Sequence, residues 1–567
     1  MTTSLKRITM KKILMFFALS IILSGCDILD SDPMTQKMST NYPATEEEAY
    51  EALMGVYNAF GSRTGNDEWQ HPFILLELMS DDRLGGGGQN DTHAHAMALY
   101  KLIGQDMYYQ LWATRWRAIY RANLLLSSLD NVSWKSVENR DKIEGQILFL
   151  RAYANFTLSS LFGPIPLITA PKPENKPRAE ASELYAQMGA DLKKAIELLE
   201  PISFRNIPKE ENGLATRWAA EALMARIFLF YTGYYNDTKM GDITKDEVIA
   251  WIDECADSAI SGHDLLKDFR NLWPYSIKID GKDSDYKYAK DNNLDWINEY
   301  GDNNETIFAI KVSTASQNNN YDRRNSILLN FGLRDNALLP FGFGWGLGPV
   351  NPQLYEEWPN DDIRKDGSIL DVRNAKEGES VTKKYKWGGL MQWHETGYWQ
   401  KKYMPVNVLD EKGNIVAYSS VLWGMPNDPQ FANTQDLVLI RFADVLLMGA
   451  ELGSAKAQEY MDRVRGRVGL SSVTPSLENV KKERRYELAF EGVRWLDLLR
   501  WHDAEKAVSK MNGIDVTNNT SPGIYKVKYR KETGGFIPIP ESEVALSQGI
   551  LKQTPGWGTG AMLQPGE

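Results

Sequence analysis

The stretch Ile143-Glu144-Gly145-Gln146-Ile147-Leu148-Phe149-Leu150-Arg151-Ala152-Tyr153-Ala154-Asn155-Phe156-Thr157-Leu158-Ser159-Ser160-Leu161-Phe162-Gly163-Pro164 decides how the chain is read. Ile143, Ile147, Leu150, Ala154, Leu158 and Leu161 recur at steps of three and four, which lines them up on one face of a helix. The helix must stop at Gly163-Pro164, because proline has no amide hydrogen to donate and clashes with the preceding turn. Similar stretches lie on both sides. Tyr42-Pro43-Ala44-Thr45-Glu46 reads as a helix start, with Thr45 near the N-cap and the helix running to about Phe60. Residues 107–129, 182–199, 216–231 and 245–261 follow, the last closed by Gly262, and then 437–452, 455–464 and 477–501. Ala219, Ala220, Ala222 and Ala225 would let a neighbouring helix approach closely. Paired helices joined by short turns predict a mainly α chain built as a TPR-like helical-repeat superhelix, although no strict 34-residue period is visible.

Residues 263–436 break this pattern. They are rich in Asn, Asp, Gly and Pro, and they hold one clear strand pattern, Thr306-Ile307-Phe308-Ala309-Ile310-Lys311-Val312. Gly342-Phe343-Gly344-Trp345-Gly346-Leu347-Gly348-Pro349 can only be loop. Eight of the 17 Trp lie in this segment, and loops on a rigid scaffold are where binding residues concentrate. The expected organisation is therefore residues 26–262 as an N-terminal helical region, 263–436 as a loop-rich ligand-binding insert and 437–567 as a C-terminal helical region, all in one compact unit. Residues 1–25 are expected to be removed.

That removal follows from the first residues. Lys6, Arg7, Lys11 and Lys12 precede an 11-residue apolar run, Ile13 to Leu23, which is too short to cross a bilayer but suits a signal-peptide core. Met10-Lys11-Lys12 already makes a complete positive region, so Met10 is a candidate start. Leu23-Ser24-Gly25-Cys26 looks like a bacterial lipobox, with Cys26 lipidated. The mature chain would keep 60 basic and 75 acidic residues, net −15, against −11 for all 567 residues. Broad nucleic-acid binding is disfavoured at either charge. Cys255 then has no disulfide partner and reads as a small buried apolar residue.

Catalytic and cofactor motifs are missing. There is no GxxxxGK[ST], HExxH, CxxC or GxSxG, and Leu347 spoils a GxGxxG in the glycine run. His93 and His95 beside Asp91 form an HxH pair, for which a solvated loop from Gly85 to His95 is the better reading than a metal site. Asp81-Asp82 and Asp361-Asp362 are paired carboxylates, but 75 acids make such pairs common. The densest charge pattern is Glu483-Arg484-Arg485-Tyr486-Glu487-Leu488-Ala489-Phe490-Glu491-Gly492-Val493-Arg494-Trp495-Leu496-Asp497-Leu498-Leu499-Arg500-Trp501. As one helix it would set Arg484–Glu487, Glu491–Arg494, Arg494–Asp497 and Asp497–Arg500 three residues apart, an internal ion-pair network fixing helix register.

These segments resemble the SusD/RagB family of surface lipoproteins. Phe149-Leu150-Arg151-Ala152-Tyr153 and Leu161-Phe162-Gly163-Pro164-Ile165-Pro166-Leu167 are similar to its LRAY…LFGxxPL block. Residues 440–451 resemble its iRyADvLLmyAEA helix, and 483–501 its ERrxELaFEGxRwxDLxRW helix. Ile537-Pro538-Ile539-Pro540-Glu541 and Thr554-Pro555-Gly556-Trp557 resemble its ending, with Ser80-Asp81-Asp82 and Asn123 as smaller marks. Gly449 stands where an aromatic is usual, and Thr554 where Asn is. The resemblance implies a TPR-like scaffold with an irregular, ligand-binding half. It implies a lipoprotein on the outer face of the outer membrane that binds oligosaccharides or other nutrients. Such a protein caps a TonB-dependent, SusC-like transporter, with no catalysis, cofactor or metal. The acidic run Cys26-Asp27-Ile28-Leu29-Asp30-Ser31-Asp32 is similar to surface-export signals of such lipoproteins.

The resemblance also sorts the tryptophans. Trp112, Trp116, Trp218, Trp251, Trp495, Trp501 and Trp557 fall in helical or terminal blocks and are expected to pack. Ligand candidates come from the loops after the Ser-Asp-Asp mark and from the irregular middle. They are Asp82, Arg83, Asn90, Trp273, Trp296, Tyr321, Arg323, Trp345, Trp393 and Trp399, with Trp345 foremost because glycines flank it. A Trp face stacks on the C–H face of a sugar, and Asp, Asn and Arg hydrogen-bond its hydroxyls. A surface glycoside hydrolase and a protein-binding TPR scaffold are the competing readings.

Overall fold

A computed structural model describes residues 42–61, 68–172, 174–279, 282–283, 286–297, 303–312, 325–334, 339–373, 391–428, 433–558 and 561–564. Cys26, the signal segment, Tyr321 and Arg323 lie outside the described residues.

The principal helices are α1 (Glu46–Tyr57), α2 (Tyr109–Ser128), α3 (Val137–Phe162), α4 (Ala181–Leu198), α5 (Arg217–Tyr235) and α6 (Lys245–Cys255). After the irregular middle come α7 (Phe442–Leu452), α8 (Ala457–Arg467), α9 (Leu477–Glu487) and α10 (Arg494–Arg500). Polar caps start several of them. Thr45 accepts from the Glu48 amide, Ser136 from Asn139 and Thr216 from Ala219, while Thr244 and Glu247 form a reciprocal capping box. The decisive helix ends where the sequence says it must, at Gly163 with φ +75°.

Each helix from α2 to α6 packs on its chain neighbours, and α7 closes against α5 and α6 before pairing with α8. This is the TPR-like stacking of antiparallel helices. Ala219, Ala220, Ala222 and Ala225 on α5 are wholly buried, so the backbones do approach closely there. Arg151 on α3 clamps both Asp191 oxygens on α4 at 2.8 and 2.6 Å and donates to Asn123 on α2 at 2.9 Å. The C-terminal ending docks on the same scaffold: the Ile537 amide donates to Leu161 at 2.8 Å, and the Trp557 indole to Phe536 at 2.8 Å. Gly449 makes room for Tyr460, whose ring would lie 2.8 Å from a Cβ at that position. Cys255 is fully buried, and burial pushes its thiol well above the usual range.

Three helical expectations need correction. Residues 245–261 are two helices, because the first ends at Cys255 and Asp257 caps a second short one, Ser258–Ser261. Residues 437–441 are a strand, β2 (Leu437–Arg441), paired antiparallel with β1 (Thr306–Ile310). The apolar alternation there serves a ribbon, and the helix starts only at Phe442. Residues 477–501 are two helices, because Phe490 and Gly492 take φ +67° and +73° and turn the chain between α9 and α10. Of the four predicted i,i+3 pairs only Asp497–Arg500 forms, at 2.8 Å. The other charges reach across the fold. Arg484 bonds Asp497 and Asp444, while Arg485 and Arg494 reach Asp82 and Asp81.

The network is nonetheless internal. Glu487 accepts from Arg364 at 2.9 Å, from Arg441 at 2.6 Å and from Arg467. Arg441 also bonds Glu305 at 2.8 Å and Glu491 at 2.6 Å, so β1, β2, α8 and α9 are joined where the scaffold meets the irregular half. The three guanidiniums hold the Glu487 carboxyl well below the usual carboxylate range, against the opposing effect of its burial.

Candidate functional site

Two glycine-rich loops meet above this network. Leu84 donates to Pro349 at 2.9 Å, Gly348 to Gly85 at 2.9 Å and Gly87 to Gly346 at 2.6 Å. The pairing needs glycine. Gly86 has φ +69°, and a Cβ there would stand 2.3 Å from Pro349 Cδ and 2.6 Å from the Gly346 carbonyl. Gly86→Ala is expected to cost at least about 1–3 kcal/mol, and a melting curve of the purified variant measures it.

Arg83 underpins the loops. It is fully buried, pairs with Glu77, donates to the Gly348 carbonyl at 3.1 Å and lies 4.3 Å over the Phe331 ring. Asp82 is equally buried and is held by Arg485 at 2.8 and 2.9 Å. Both were expected to touch ligand. Neither presents accessible surface to a ligand, because the fold buries both, Arg83 on Glu77 and Asp82 on Arg485. Trp399 is wholly buried and Trp273 is 2% exposed, so no face of either is open to the outer surface. The paired carboxylates are committed in the same way. Asp81 is clamped by Arg494 at 2.7 and 2.9 Å, and Asp362 by Arg364 and the Trp358 indole.

What the loops present outward is aromatic. Trp345 is half-buried, with Phe343 edge-on to it at 5.7 Å and 74°. Trp393 is half-buried and donates its amide to Gly87 at 2.7 Å, beside Gln392, which donates to the Gly346 carbonyl at 2.7 Å. Asn90 is exposed at the loop tip. Arg334 reaches Asp91, whose carboxylate also accepts from the Gly88 amide. Trp69 and His93, both half-buried, stack at 6.0 Å and 18° at the start of the short helix Thr92–Ala98. Of the expected ligand residues, the structure thus brings together Trp345, Trp393 and Asn90. It adds Trp69, His93, Arg334 and Asp91, which no pattern in the sequence marked as one surface.

The Gly85–His95 segment is not a solvated loop. Gly85 to Gly88 are buried and a helix begins at Thr92. His95 Nε2 donates to the Gly86 carbonyl at 2.9 Å, while the Gly86 amide donates to His394 Nδ1 at 3.4 Å. The rings are 4.9 Å apart, and His95 also stacks on Trp393 at 5.5 Å. Among the described residues no group of three His, Cys, Asp or Glu could hold a metal ion.

Burial keeps these histidines neutral, lowering His394 to about 3, with His95 beside it adding to the effect. Burial likewise lowers His95, and takes His263 to about 4. Below about pH 6.5 the unfolded chain takes up protons that the fold refuses, so stability falls with pH. Glu221, raised to about 8 by burial and by Glu254, has the opposite sign and gives back part of the loss. His394→Asn is expected to lose less stability than the wild type between pH 6.5 and 4.5, by up to about 1.4 kcal/mol per pH unit, measured by urea titration.

Trp296 is 8% exposed and sits elsewhere, with Trp273, in the wall of a cavity of about 680 Å³. That cavity shares no residue with the Trp345 surface.

Comparison with known proteins gives the family. The SusD family model matches residues 304–557, and a model described as starch-binding associating with outer membrane matches residues 51–229. SusD-like protein P2 of Formosa agariphila is 23% identical over 96% of this chain and 99% of its own. Among solved structures, a laminarin-binding SusD-like protein is 26% identical, with TM-score 0.69, covering 91% of this chain and all of the other. Surface glycan-binding protein A from Bacteroides fluxus shares the fold at 24% identity and TM-score 0.69, with 91% and 100% covered. These are binding proteins, and the chain stands with them rather than with enzymes. With both halves of the scaffold matched in order, this chain belongs to the SusD/RagB family.

Proposed function

We propose that the protein is a surface lipoprotein of the outer membrane, anchored through Cys26, that binds neutral oligosaccharides and hands them to a TonB-dependent, SusC-like transporter. The observation that carries the binding is the pair of half-buried rings, Trp345 and Trp393, on segments that both hydrogen-bond to the Gly87 backbone, with the Trp69–His93 stack beside Asp91 in the chain. Asn90 and the Arg334–Asp91 pair add hydrogen-bonding groups of matched charge. An indole face with amide and charged neighbours is what stacks on a pyranose and holds its hydroxyls. The laminarin-binding relative supports a glycan as ligand and makes laminarin the first to try. The family description supports the outer membrane. No helix of the described residues is long and apolar enough to cross a membrane, which agrees with a lipid anchor. The sequence's three-part organisation belongs to the same reading, with 263–436 contributing Trp345, Trp393 and Arg334 and the N-terminal region Trp69, Asn90, Asp91 and His93.

The test is calorimetric titration of the purified mature protein with laminarin and a panel of neutral polysaccharides, with a reducing-sugar assay on the same samples. Binding without release of reducing ends is expected. Release of reducing ends would return the hydrolase reading, and silence across the panel would favour the protein-binding scaffold.

A further inference from the structure

We propose that the cavity of about 680 Å³ at the junction of scaffold and irregular half is a second saccharide pocket, one that takes the end of a neutral oligosaccharide. Its walls are the loop that leads into α5, the segment from His263 to Trp273, and the β1–β2 ribbon. The volume is in the range of small-molecule sites, roughly 300–1,000 Å³.

The wall chemistry selects the ligand. Phe204 lies against His263 at 5.0 Å, and Trp296 is held edge-on by Tyr418 at 5.6 Å and 86°, so rings form part of the lining. Asn303, Asn304 and Thr306 supply amides and a hydroxyl. Charges in the wall are matched. Lys311 pairs with Asp436, Glu211 with Lys142, and Arg441 with three glutamates. Gly213, at φ +99°, admits the Lys311 stem, whose Cγ would lie 2.1 Å from a Cβ there. Arg205 and Lys209 stand exposed at the lip.

Three wall residues keep a buried polar atom with no partner among the described residues: His263 Nε2, Trp273 Nε1 and Gln435 Oε1. His263 Nδ1 donates to the Asn304 carbonyl at 2.9 Å, so its Nε2 is an acceptor, as is Gln435 Oε1, while the Trp273 indole is a donor. These three atoms lie behind the wall surface. The groups that face a ligand are the amides, the hydroxyl and the rings of the lining, between charges that are already paired, which suits a polyhydroxylated ligand that brings no charge.

The pocket stands independently of the Trp345 surface, and one experiment separates them. Laminarihexaose, maltohexaose, xylohexaose and mannohexaose are titrated calorimetrically into the wild type, Ile207→Trp and Trp345→Ala. Ile207 is a half-buried residue of the lining, so the indole fills the cavity. Phe204→Ala, which removes the lining ring, stands in should Ile207→Trp fail to fold by circular dichroism. The wild type is expected to show two binding events with at least one hexasaccharide. Ile207→Trp or Phe204→Ala should weaken one by at least about tenfold, and Trp345→Ala the other. A single event abolished by Trp345→Ala and untouched by either cavity variant overturns the pocket and leaves the surface intact. Binding kept in Trp345→Ala but lost on filling the cavity upholds the pocket and overturns the surface. No event weakened by either cavity variant with any of the four overturns the pocket.

Discussion

Glu487→Gln is expected to destabilise the protein by about 3–5 kcal/mol, the cost of removing one member of a buried ion network. Glu487 is wholly buried among Arg364, Arg441 and Arg467. Glutamine keeps the shape but not the charge, so three buried guanidiniums lose their shared counterion. Arg441 would fall back on Glu305 and Glu491, and Arg364 on Asp362 and Glu483. That places the loss within the stated range rather than above it. A guanidinium-chloride titration measures it, with Glu478→Gln as control. Glu478 meets Lys482 in an exposed pair on α9, and its loss should leave the midpoint unchanged. The sign with pH follows from the depressed Glu487 carboxyl. Its stabilisation is present above the ordinary carboxylate pKa, about 4.3, and fades as pH falls below it, so wild type and variant converge in acid.

Trp345→Ala is expected to weaken glycan binding by roughly 30-fold or more, the effect of truncating a central aromatic anchor worth about 2 kcal/mol. The ring is half-buried, braced by Phe343, with one side packed on the hydrophobic core and the rest accessible. Its loss removes a ligand contact together with part of a core contact, and the melting midpoint should fall by less than in Trp399→Ala. Trp399→Ala should do the reverse. That ring is wholly buried, so its removal costs about 3–5 kcal/mol of stability.

Comparing the two tryptophans shows what the sequence conveys. Periodicity located the scaffold well, because one helix face and its ends are local facts: Thr45 and Gly163 do what their positions predict. It failed where a local pattern served a distant partner. The residues around Arg484 and Arg494 look like one charged helix, yet their partners are Asp444, Asp497 and the Asp81-Asp82 pair, and the chain turns at Gly492 to reach them. Leu437–Arg441 is apolar enough for a helix but pairs with Thr306–Ile310. Residue type marked Asp82, Arg83, Trp273 and Trp399 as ligand candidates, and burial removes them from the outer surface. Burial is set by the whole fold, which no single segment reveals. Trp345, Trp393 and Asn90 keep accessible surface, and of these the glycines around Trp345 marked its segment as loop in the sequence. The Arg334–Asp91 pair was not legible, since the two lie far apart in the chain and only the fold brings them together.

The most direct test of the account is a crystal structure of the protein soaked with the tightest-binding hexasaccharide of the panel. The account predicts a pyranose ring lying against the Trp345 face, with hydroxyls hydrogen-bonded to Asn90 or to the Arg334–Asp91 pair. An ordered saccharide bound elsewhere on the protein, with the Trp345 surface bare, would contradict it.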